Sequence, residues 1–212
     1  MIYITTYPLP QRINPMRKLL LTTAAVAAAI GLAGCSKKEP ITYGTLTDER
    51  DRQTYKTVKI GTQTWVAQNI NYQTESGSWC YKNSADSCNK YGRLYDWKTA
   101  TTVCPKGWKL PSREDWDRLV ETAGEKLKSK SGWNENGNGT DNYGFSALPG
   151  GGRDYIDGRF YYAGNRGHWW TATVDDSDKA YGRIMNYNND YVGENNYNKS
   201  NGQSVRCVAD RP

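Results

Sequence analysis

Apolar residues recur at helical spacing in a first stretch of the chain that begins at Trp97. Trp97, Ala100, Thr101 and Cys104 stand at i, i+3, i+4 and i+7, so they share one face of a helix that buries its aromatic side chain. Pro105 follows at once and cannot continue that helix. The pattern therefore predicts a short helix that ends at a cysteine.

A second helix is predicted to begin at Ser112. Ser112 is a good N-cap residue, and Asp115 three positions later forms a weaker version of the capping box. Gly124 is expected to end the helix. Its inward face comprises Trp116, Leu119 and Val120. Two short helices, joined by a tight turn, are thus predicted to pack through their tryptophans.

Alternation of apolar and polar residues predicts the strands. Residues 54–60 and 63–70 flank Gly61 and predict a hairpin. The hairpin is expected to supply the core with Val58, Ile60, Trp65 and Ile70. Residues 168–174 and 179–187 read as two further strands. Trp169 and Trp170 point to opposite faces of the first of these, and we favour a core position for both.

Residues 134–167 predict irregular, turn-rich backbone because nine of these 34 positions are glycine. Oxygen-bearing side chains crowd the start of this stretch at Asn134, Asn136, Asn138 and Asp141. Such oxygens suit a calcium loop, although the spaced carboxylates and final glutamate of an EF-hand are missing. Asx-turns are the alternative explanation.

Tyrosines set among asparagines form another distinct stretch, residues 186–201, with almost no aliphatic side chains. This composition predicts an exposed loop, either a binding surface or a solvated linker. The tyrosines of the preceding glycine-rich stretch are predicted to extend the same face, and Trp170 is added as a candidate. The ligand-binding candidates are Tyr155, Tyr161, Tyr162, Trp170, Tyr187, Tyr191 and Tyr197.

The N-terminal region resembles a bacterial export signal. Met16, Arg17 and Lys18 precede an apolar run over residues 19–32, which is too short for a comfortable membrane span. Residues 1–15 read as an upstream extension. Leu-Ala-Gly-Cys at residues 32–35 resembles the lipobox, so Cys35 is the predicted lipidated N-terminus. Ordinary cleavage, with a free thiol, is the alternative.

These signals divide the chain into an upstream extension and signal peptide over residues 1–34, a lipidated tether over residues 35–47, and one domain over residues 48–212. The predicted location is the cell envelope, attached by lipid to the outer membrane. Loss of residues 1–34 removes three basic side chains and lowers the formal net charge from +6 to +3. Lys126, Lys128 and Lys130 form the one remaining basic cluster and read as a solvated loop edge, so nucleic acid is not an expected partner.

Four cysteines follow Cys35, namely Cys80, Cys88, Cys104 and Cys207. An even number in an exported protein predicts two disulfides, and four cysteines allow three connectivities. No Cys-x-x-Cys motif is present, and His168 is the only histidine. A metal-binding or catalytic role for these thiols is therefore disfavoured.

Six phrases resemble the Fibrobacter succinogenes major paralogous domain, a bacterial surface family: YKTVKIGTQTW, CYKNSADSCNKYGRLYDW, CPKGWKLPSREDW, GNGTDNYGFSALPGG, WWTAT and GQSVRCV. They span roughly residues 50–209. The Trp, Ala and Cys of the first helix are similar to the opening of C-type-lectin-like domains. The resemblance implies an α+β fold in which two short helices pack on a small twisted antiparallel sheet with long Gly/Asn-rich loops. It also implies that Cys104 pairs with Cys207, which leaves Cys80 for Cys88.

A different resemblance supplies the alternative function. The phrase KLPSREDW is similar to one in formylglycine-generating enzymes, which would make the chain an oxidoreductase or a degenerate relative of one. The sequence lacks a nucleophile elbow, a His-Glu-x-x-His motif and a P-loop. It also lacks the Glu-Pro-Asn and Gln-Pro-Asp motifs of calcium-dependent lectins. We therefore expect a non-catalytic binding or adhesion module whose partner is a polysaccharide or another surface protein.

Overall fold

The computed structural model describes residues 40–124 and 126–210. The predicted signal peptide and the lipidation site Cys35 lie outside these residues. These described residues belong to one compact unit. Within the described part, no helix has the length and apolar character needed to cross a membrane.

The described residues form thirteen strands and three α-helices. The strands are β1 Tyr43–Thr47, β2 Thr54–Ile60, β3 Gln63–Val66, β4 Ser78–Trp79, β5 Leu94–Tyr95, β6 Trp108–Lys109, β7 Gly152–Arg153, β8 Phe160–Tyr161, β9 Arg166–Val174, β10 Lys179–Asn186, β11 Val192–Asn198, β12 Gln203–Ser204 and β13 Val208–Ala209. The helices are α1 Ala85–Tyr91, α2 Trp97–Ala100 and α3 Arg113–Ala123. Tyr81–Asn83 adds one 3-10 turn.

Two sheets carry most of the strands. One has the order β1-β2-β3-β13-β6, and the other has the order β11-β10-β9-β12-β5-β4. Neighbouring strands run antiparallel except for β12 beside β9, which are parallel. β7 and β8 form a separate two-stranded hairpin. The prediction of a mixed α+β fold is therefore confirmed.

The first predicted hairpin forms at the expected place. β2 pairs with β3 so that Val58 lies opposite Trp65. The side chains predicted for the core, those of Val58, Ile60, Trp65 and Ile70, are all buried. Gly61 has a φ of 59°, which allows the tight turn that an L side chain would disfavour.

The helix predicted to begin at Ser112 is α3. The Ser112 hydroxyl accepts a hydrogen bond from the Asp115 amide, and the Asp115 carboxylate accepts one from the Ser112 amide, so the capping box is complete. Trp116 and Leu119 are fully buried, and Val120 packs against the same core. Gly124 ends the helix at a positive φ of 57°.

The helix predicted over Trp97–Cys104 is shorter than expected. α2 is a single turn that ends at Ala100, and Thr101 is exposed rather than inward-facing. The hydroxyl of Thr101 donates to the carbonyl of Lys98, and such local bonds compete with continued helix. No sequence pattern predicted α1, which begins inside the loop closed by the Cys80–Cys88 disulfide and ends beyond it at Tyr91.

Tryptophans fill the centre of the domain. Trp116 lies with its ring centroid 5.3 Å from that of Trp65 and 6.1 Å from that of Trp169. Trp169 and Trp170, adjacent on β9, enter two separate core clusters and are both fully buried. The expectation that both are core residues is confirmed.

A buried arginine links the core to the glycine-rich stretch. Arg206 is fully buried, and its guanidinium donates to Asn69 Oδ1 and to the carbonyls of Val66 and Phe145. It also lies 4.4 Å from the centre of the Phe145 ring. Burial lowers the pKa of Arg206 to about 9. These bonds compensate for the burial of a charge that otherwise disfavours the folded state.

Both predicted disulfides are present. Cys80 is bonded to Cys88, and Cys104 is bonded to Cys207. The second bond joins the segment after α2 to the segment before β13, so it closes most of the domain. The first bond closes only a small loop, from the 3-10 turn to the middle of α1.

Two predicted boundaries are wrong. The tether predicted over residues 35–47 ends earlier, because β1 is hydrogen-bonded along its length to β2. The stretch over residues 186–201 is only partly a loop, because Val192–Asn198 is strand β11 at the edge of the six-stranded sheet. An edge strand needs few aliphatic side chains, since only one of its neighbours is another strand.

Candidate functional site

The hairpin of β7 and β8 presents three of the predicted tyrosines. Its turn is fixed by two aspartates: Asp154 Oδ1 accepts the Ile156 amide at 2.7 Å, and Asp157 Oδ1 accepts the Arg159 amide at 2.9 Å. Aspartate stabilises turns in this way by bonding to backbone two residues ahead. Tyr155 follows the first aspartate at the tip.

A surface pocket of about 310 Å³ opens on this hairpin. Its walls are Asp154, Asp157, Arg159, Tyr161 and Tyr162. It therefore combines flat aromatic rings with two carboxylates and a guanidinium. Such a mixture offers apolar contact together with hydrogen bonds that fix the orientation of a ligand.

The apolar side chains around this pocket are unusually exposed. Tyr155 is 46% exposed, Tyr162 is 47% exposed and Ile156 is 77% exposed. The guanidinium of Arg166 lies 4.1 Å from the centre of the Tyr162 ring and holds it in place by a cation–π contact. We call this surface, formed by Tyr155, Ile156, Tyr161 and Tyr162, the hairpin surface.

The hairpin is fixed to the body of the domain. Arg153 is bridged to Gly202, and the Tyr155 amide donates to Asn201 Oδ1 at 3.1 Å. The guanidinium of Arg153 also lies 4.3 Å from the centre of the Trp79 ring. The exposed rings are therefore presented on an ordered support.

A row of aromatic rings leads from the hairpin surface into the core. The Tyr161 ring lies edge-on to His168 with centroids 5.9 Å apart, and Tyr197 lies on the other side of His168 at 5.6 Å. Tyr197 in turn contacts Trp170, with centroids 6.2 Å apart. The structure thus brings Tyr161, Tyr197 and Trp170 together, but at different depths.

Trp170 is a correction to the predicted binding residues. It is fully buried, and its indole N–H donates to the carbonyl of Tyr95 at 2.7 Å. Because its ring is enclosed by core side chains and its indole N–H already has a partner, the role of Trp170 is packing. Tyr197 is partly buried, and burial raises its pKa to about 12.

His168 is the residue of this row that sequence reasoning did not select. It is 3% exposed, and burial, together with the nearby charge of Arg166, lowers its pKa to about 3. The imidazole is therefore neutral at ordinary pH. Its position in an alternating strand, beside two tryptophans, was the signal that could have marked it as buried.

Tyr187 and Tyr191 lie in the turn between β10 and β11 and line no part of the hairpin pocket. Tyr187 packs against the core, and its amide donates to the carbonyl of Asn165 at 2.8 Å. Tyr191 is exposed. The six predicted tyrosines therefore do not form one continuous face.

Lys128 fixes this turn from inside, which corrects its predicted place on a solvated loop edge. Its side chain is buried, and Nζ lies 3.2 Å from the Asp190 carboxylate. Nζ also donates to three backbone carbonyls, those of Asn186, Tyr187 and Asn189, at 3.0–3.3 Å. The Lys128 ammonium group thus lies at the centre of a cage of protein oxygen atoms.

Three of the four residues predicted to bind calcium already form hydrogen bonds with protein groups. Asn138 Oδ1 accepts the Trp133 amide, and Asn134 donates to Asn165 Oδ1. The Asp141 carboxylate accepts both the amide and the hydroxyl of Ser146. Asn136 has a positive φ of 60°, typical of a turn. The bonds of Asn138 and Asp141 reach backbone amides five residues away, so they fix the loop without being the two-residue Asx-turns of the alternative. Across residues 40–124 and 126–210 no cluster of three or more His, Cys, Asp or Glu side chains could hold a metal.

Another pocket, of about 280 Å³, lies beside the start of α3 and contains Asp115. Its charges are paired internally. The Asp115 carboxylate bonds to the Ser112 amide and to the Arg118 guanidinium, and it lies 3.2 Å from Lys109 Nζ. This carboxylate supports the helix cap, so we regard the hairpin pocket as the better candidate site.

The comparisons with known proteins bear on the whole domain. No curated protein and no solved structure shows significant similarity to the chain. The family model of the Fibrobacter succinogenes major domain matches residues 58–209. The matched part runs from β2 to β13 and contains both disulfides and the hairpin pocket. The chain therefore belongs to the Fibrobacter succinogenes major domain family.

Proposed function

We propose that this protein is a non-catalytic binding module that holds polysaccharide at the bacterial surface through the hairpin surface. The observation that carries the proposal is the exposed Tyr162 in a pocket lined also by Asp154, Asp157 and Arg159, with Tyr155 exposed on the same hairpin. Monomeric proteins seldom leave such clustered apolar side chains exposed without a binding role.

The chemistry of this surface suits a sugar. One face of a pyranose ring carries C–H groups that pack on a flat aromatic ring, and its edge carries hydroxyls that bond to carboxylates and guanidinium groups. The pocket offers both kinds of contact within one hairpin. A protein partner is the competing ligand, and binding assays distinguish the two.

The alternative of an oxidoreductase similar to formylglycine-generating enzymes needs paired reactive cysteines. In the described part of the chain all four cysteines are joined in disulfides, and Cys207 is fully buried. Structural cysteines of this kind are inert. This observation supports the non-catalytic assignment.

The finer fold assignment is part of the proposal. A C-type-lectin-like arrangement is supported by the disulfide that joins the segment after α2 to the last strand region, and by the pair of helices packed on twisted sheets. In this arrangement the irregular stretch between α3 and β9 supplies the binding hairpin. The position of the hairpin surface within that stretch agrees with loops as the usual site of binding residues.

The first test concerns the hairpin surface. The chain from Ser36 to Pro212 should bind at least one glycan on an array, and Tyr155→Ala with Tyr162→Ala should weaken that binding about tenfold or more. Stability should change by no more than about 0.5 kcal/mol, because both rings are half exposed. Adding calcium should leave the affinity unchanged.

The matched control for this test is Tyr43→Ala. Tyr43 is 39% exposed but lies on β1, in the five-stranded sheet and away from the β7–β8 hairpin. The Tyr43→Ala substitution should leave the affinity unchanged. Equal losses from Tyr43→Ala and from the hairpin variants, or a melting temperature lowered strongly by the hairpin variants alone, would contradict the binding-surface assignment.

The second test concerns attachment to the membrane. The proposal includes acylation of Cys35, motivated by the Leu-Ala-Gly-Cys phrase after the apolar run, and several acyl chains anchor a protein stably. In cells, the unchanged protein should partition with membranes, and Cys35→Ser should abolish incorporation of a labelled fatty acid. Fatty-acid labelling that persists in Cys35→Ser would refute acylation at this residue.

A further inference from the structure

Two buried side chains beneath the hairpin have polar atoms without partners. Among the residues that the structure describes, His168 Nε2 and both amide atoms of Gln203 make no hydrogen bond. His168 is 3% exposed and Gln203 is fully buried. Buried polar atoms without a partner are rare in native proteins, and each one requires an explanation such as a ligand or a bound water.

The two side chains occupy the same face of the sheet. β12 runs parallel to β9 with Ser204 opposite Trp169, so Gln203 lies beside His168 and points to the same side. Tyr197 joins them, because its hydroxyl lies 3.3 Å from His168 Nδ1. Gln203 Oε1 and the Tyr197 ring also lie close to each other over Gly182 of β10. A Cβ atom built on Gly182 would be 2.8 Å from Gln203 Oε1 and 3.1 Å from the Tyr197 ring.

One aromatic ring separates this group from the hairpin pocket. Tyr161 lines the pocket on its outer side and contacts His168 edge-on with its ring centroid at 5.9 Å. The Tyr161 side chain is only partly buried, so its ring can turn about χ1 while the backbone of the fixed hairpin stays in place. The Tyr161 ring thus lies between His168 and the hairpin pocket, and Gln203 is next to His168 on the neighbouring strand.

We propose that the hairpin pocket continues inward beneath Tyr161, and that His168 Nε2 and the Gln203 amide receive hydroxyl groups of a sugar when Tyr161 moves aside. This inference rests on the proposed function and names the residues that would select the ligand. The Gln203 amide offers both a donor and an acceptor, and neutral imidazole adds one more polar atom. With the Tyr197 ring as an aromatic wall beside His168, the subsite fits an uncharged polyhydroxylated ring better than an anion or a cation.

The decisive experiment removes the Gln203 amide. The chain from Ser36 to Pro212 is titrated with cellotetraose, xylotetraose, mannotetraose and chitotetraose, and Gln203→Leu should lower the affinity for the bound sugar about tenfold or more. Its melting temperature should not fall, because the replaced atoms have no partner. Asn71→Leu is the matched control, because Asn71 Oδ1 also lacks a hydrogen-bond partner in the described part. Asn71 lines a different pocket, so this substitution should leave the affinity unchanged.

The single histidine provides a direct reporter. His168 gives the only imidazole signals in the NMR spectrum, and they should shift when the sugar binds. Binding that requires Tyr162 but neither shifts His168 nor depends on Gln203 would reject the inner subsite and leave the proposed function intact. Failure of every sugar, on the array and in solution, would instead reject both.

A measurement without ligand tests whether the Tyr161 ring shields His168 from water. Tyr161→Ala should admit water to His168 and move its pKa from about 3 toward its ordinary value of 6.5. Tyr162→Ala, which does not contact His168 through an aromatic pair, should leave the titration unchanged. A His168 that still fails to titrate in Tyr161→Ala would show that Tyr161 is not the cover, and the inference would fail.

Discussion

Loss of the Cys104–Cys207 disulfide should lower the free energy of unfolding by about 4.7 kcal/mol, measured by urea denaturation of Cys104→Ala/Cys207→Ala. The two cysteines are 103 residues apart, and a cross-link over a loop of this size strongly reduces the conformational entropy of the unfolded chain. The bond also holds the β13 region, whose Cys207 carbonyl accepts the Val66 amide at 2.9 Å. A loss of this size is a large part of the stability of a typical domain.

The other disulfide is the matched control. Cys80 and Cys88 are only 8 residues apart, so Cys80→Ala/Cys88→Ala should cost about 2.6 kcal/mol by the same loop-entropy relation. Both double variants remove two sulfur atoms and add no bulk. If the short-range pair proves as costly as the long-range pair, chain entropy is not the source of the stabilisation.

Some features could be predicted because their causes are local. The alternation in residues 54–60 specifies β2, and the capping box of Ser112 and Asp115 specifies the start of α3. Trp116 and Leu119 then identify its buried face. Each of these signals lies within a few residues of the element that it predicts.

Other features depend on partners distant in sequence and were therefore missed. Lys128 looks like one of three solvated lysines, but its ammonium is bound by carbonyls of residues 186–189, about sixty positions later. Arg206 looks like an exposed residue in a strand, yet its guanidinium bonds to Asn69 and Phe145. A sequence pattern records apolar spacing, whereas the partners that compensate a buried charge become visible only in the fold.

The candidate site shows the same division. Composition identified aromatic side chains without a core pattern, and Tyr155 and Tyr162 are indeed exposed on one hairpin. Composition could not separate them from Tyr187 and Tyr197, which are partly buried, because both stretches set tyrosines among polar residues and glycines with few aliphatic side chains. It also could not find His168, whose importance follows from burial between two rings.

Burial of His168 should make the domain sensitive to mild acid. Its pKa is about 3 in the folded protein and about 6.5 in the unfolded chain, so the unfolded chain binds more protons between these values. Stability is therefore fully present above pH ~6.5 and falls as the pH decreases, by about 1.4 kcal/mol for each pH unit. The loss should reach about 3 kcal/mol at pH ~4.5 and about 4 kcal/mol at pH ~3.

Between pH ~6.5 and ~4.5 the effect of His168 on stability can be measured separately from that of the carboxylates. Burial raises the pKa values of Asp48 and Asp115, but hydrogen bonds and neighbouring cations lower both below their ordinary value of 3.8, so they affect stability only in stronger acid. Urea midpoints of the wild-type chain should fall steadily from pH ~6.5 to ~4.5, whereas those of His168→Gln should stay nearly level over the same range. Parallel losses in the two proteins would mean that His168 is not the group that titrates. A level response in the variant alone would establish that His168, enclosed by Tyr161 and Tyr197, is the group whose protonation destabilises the folded domain.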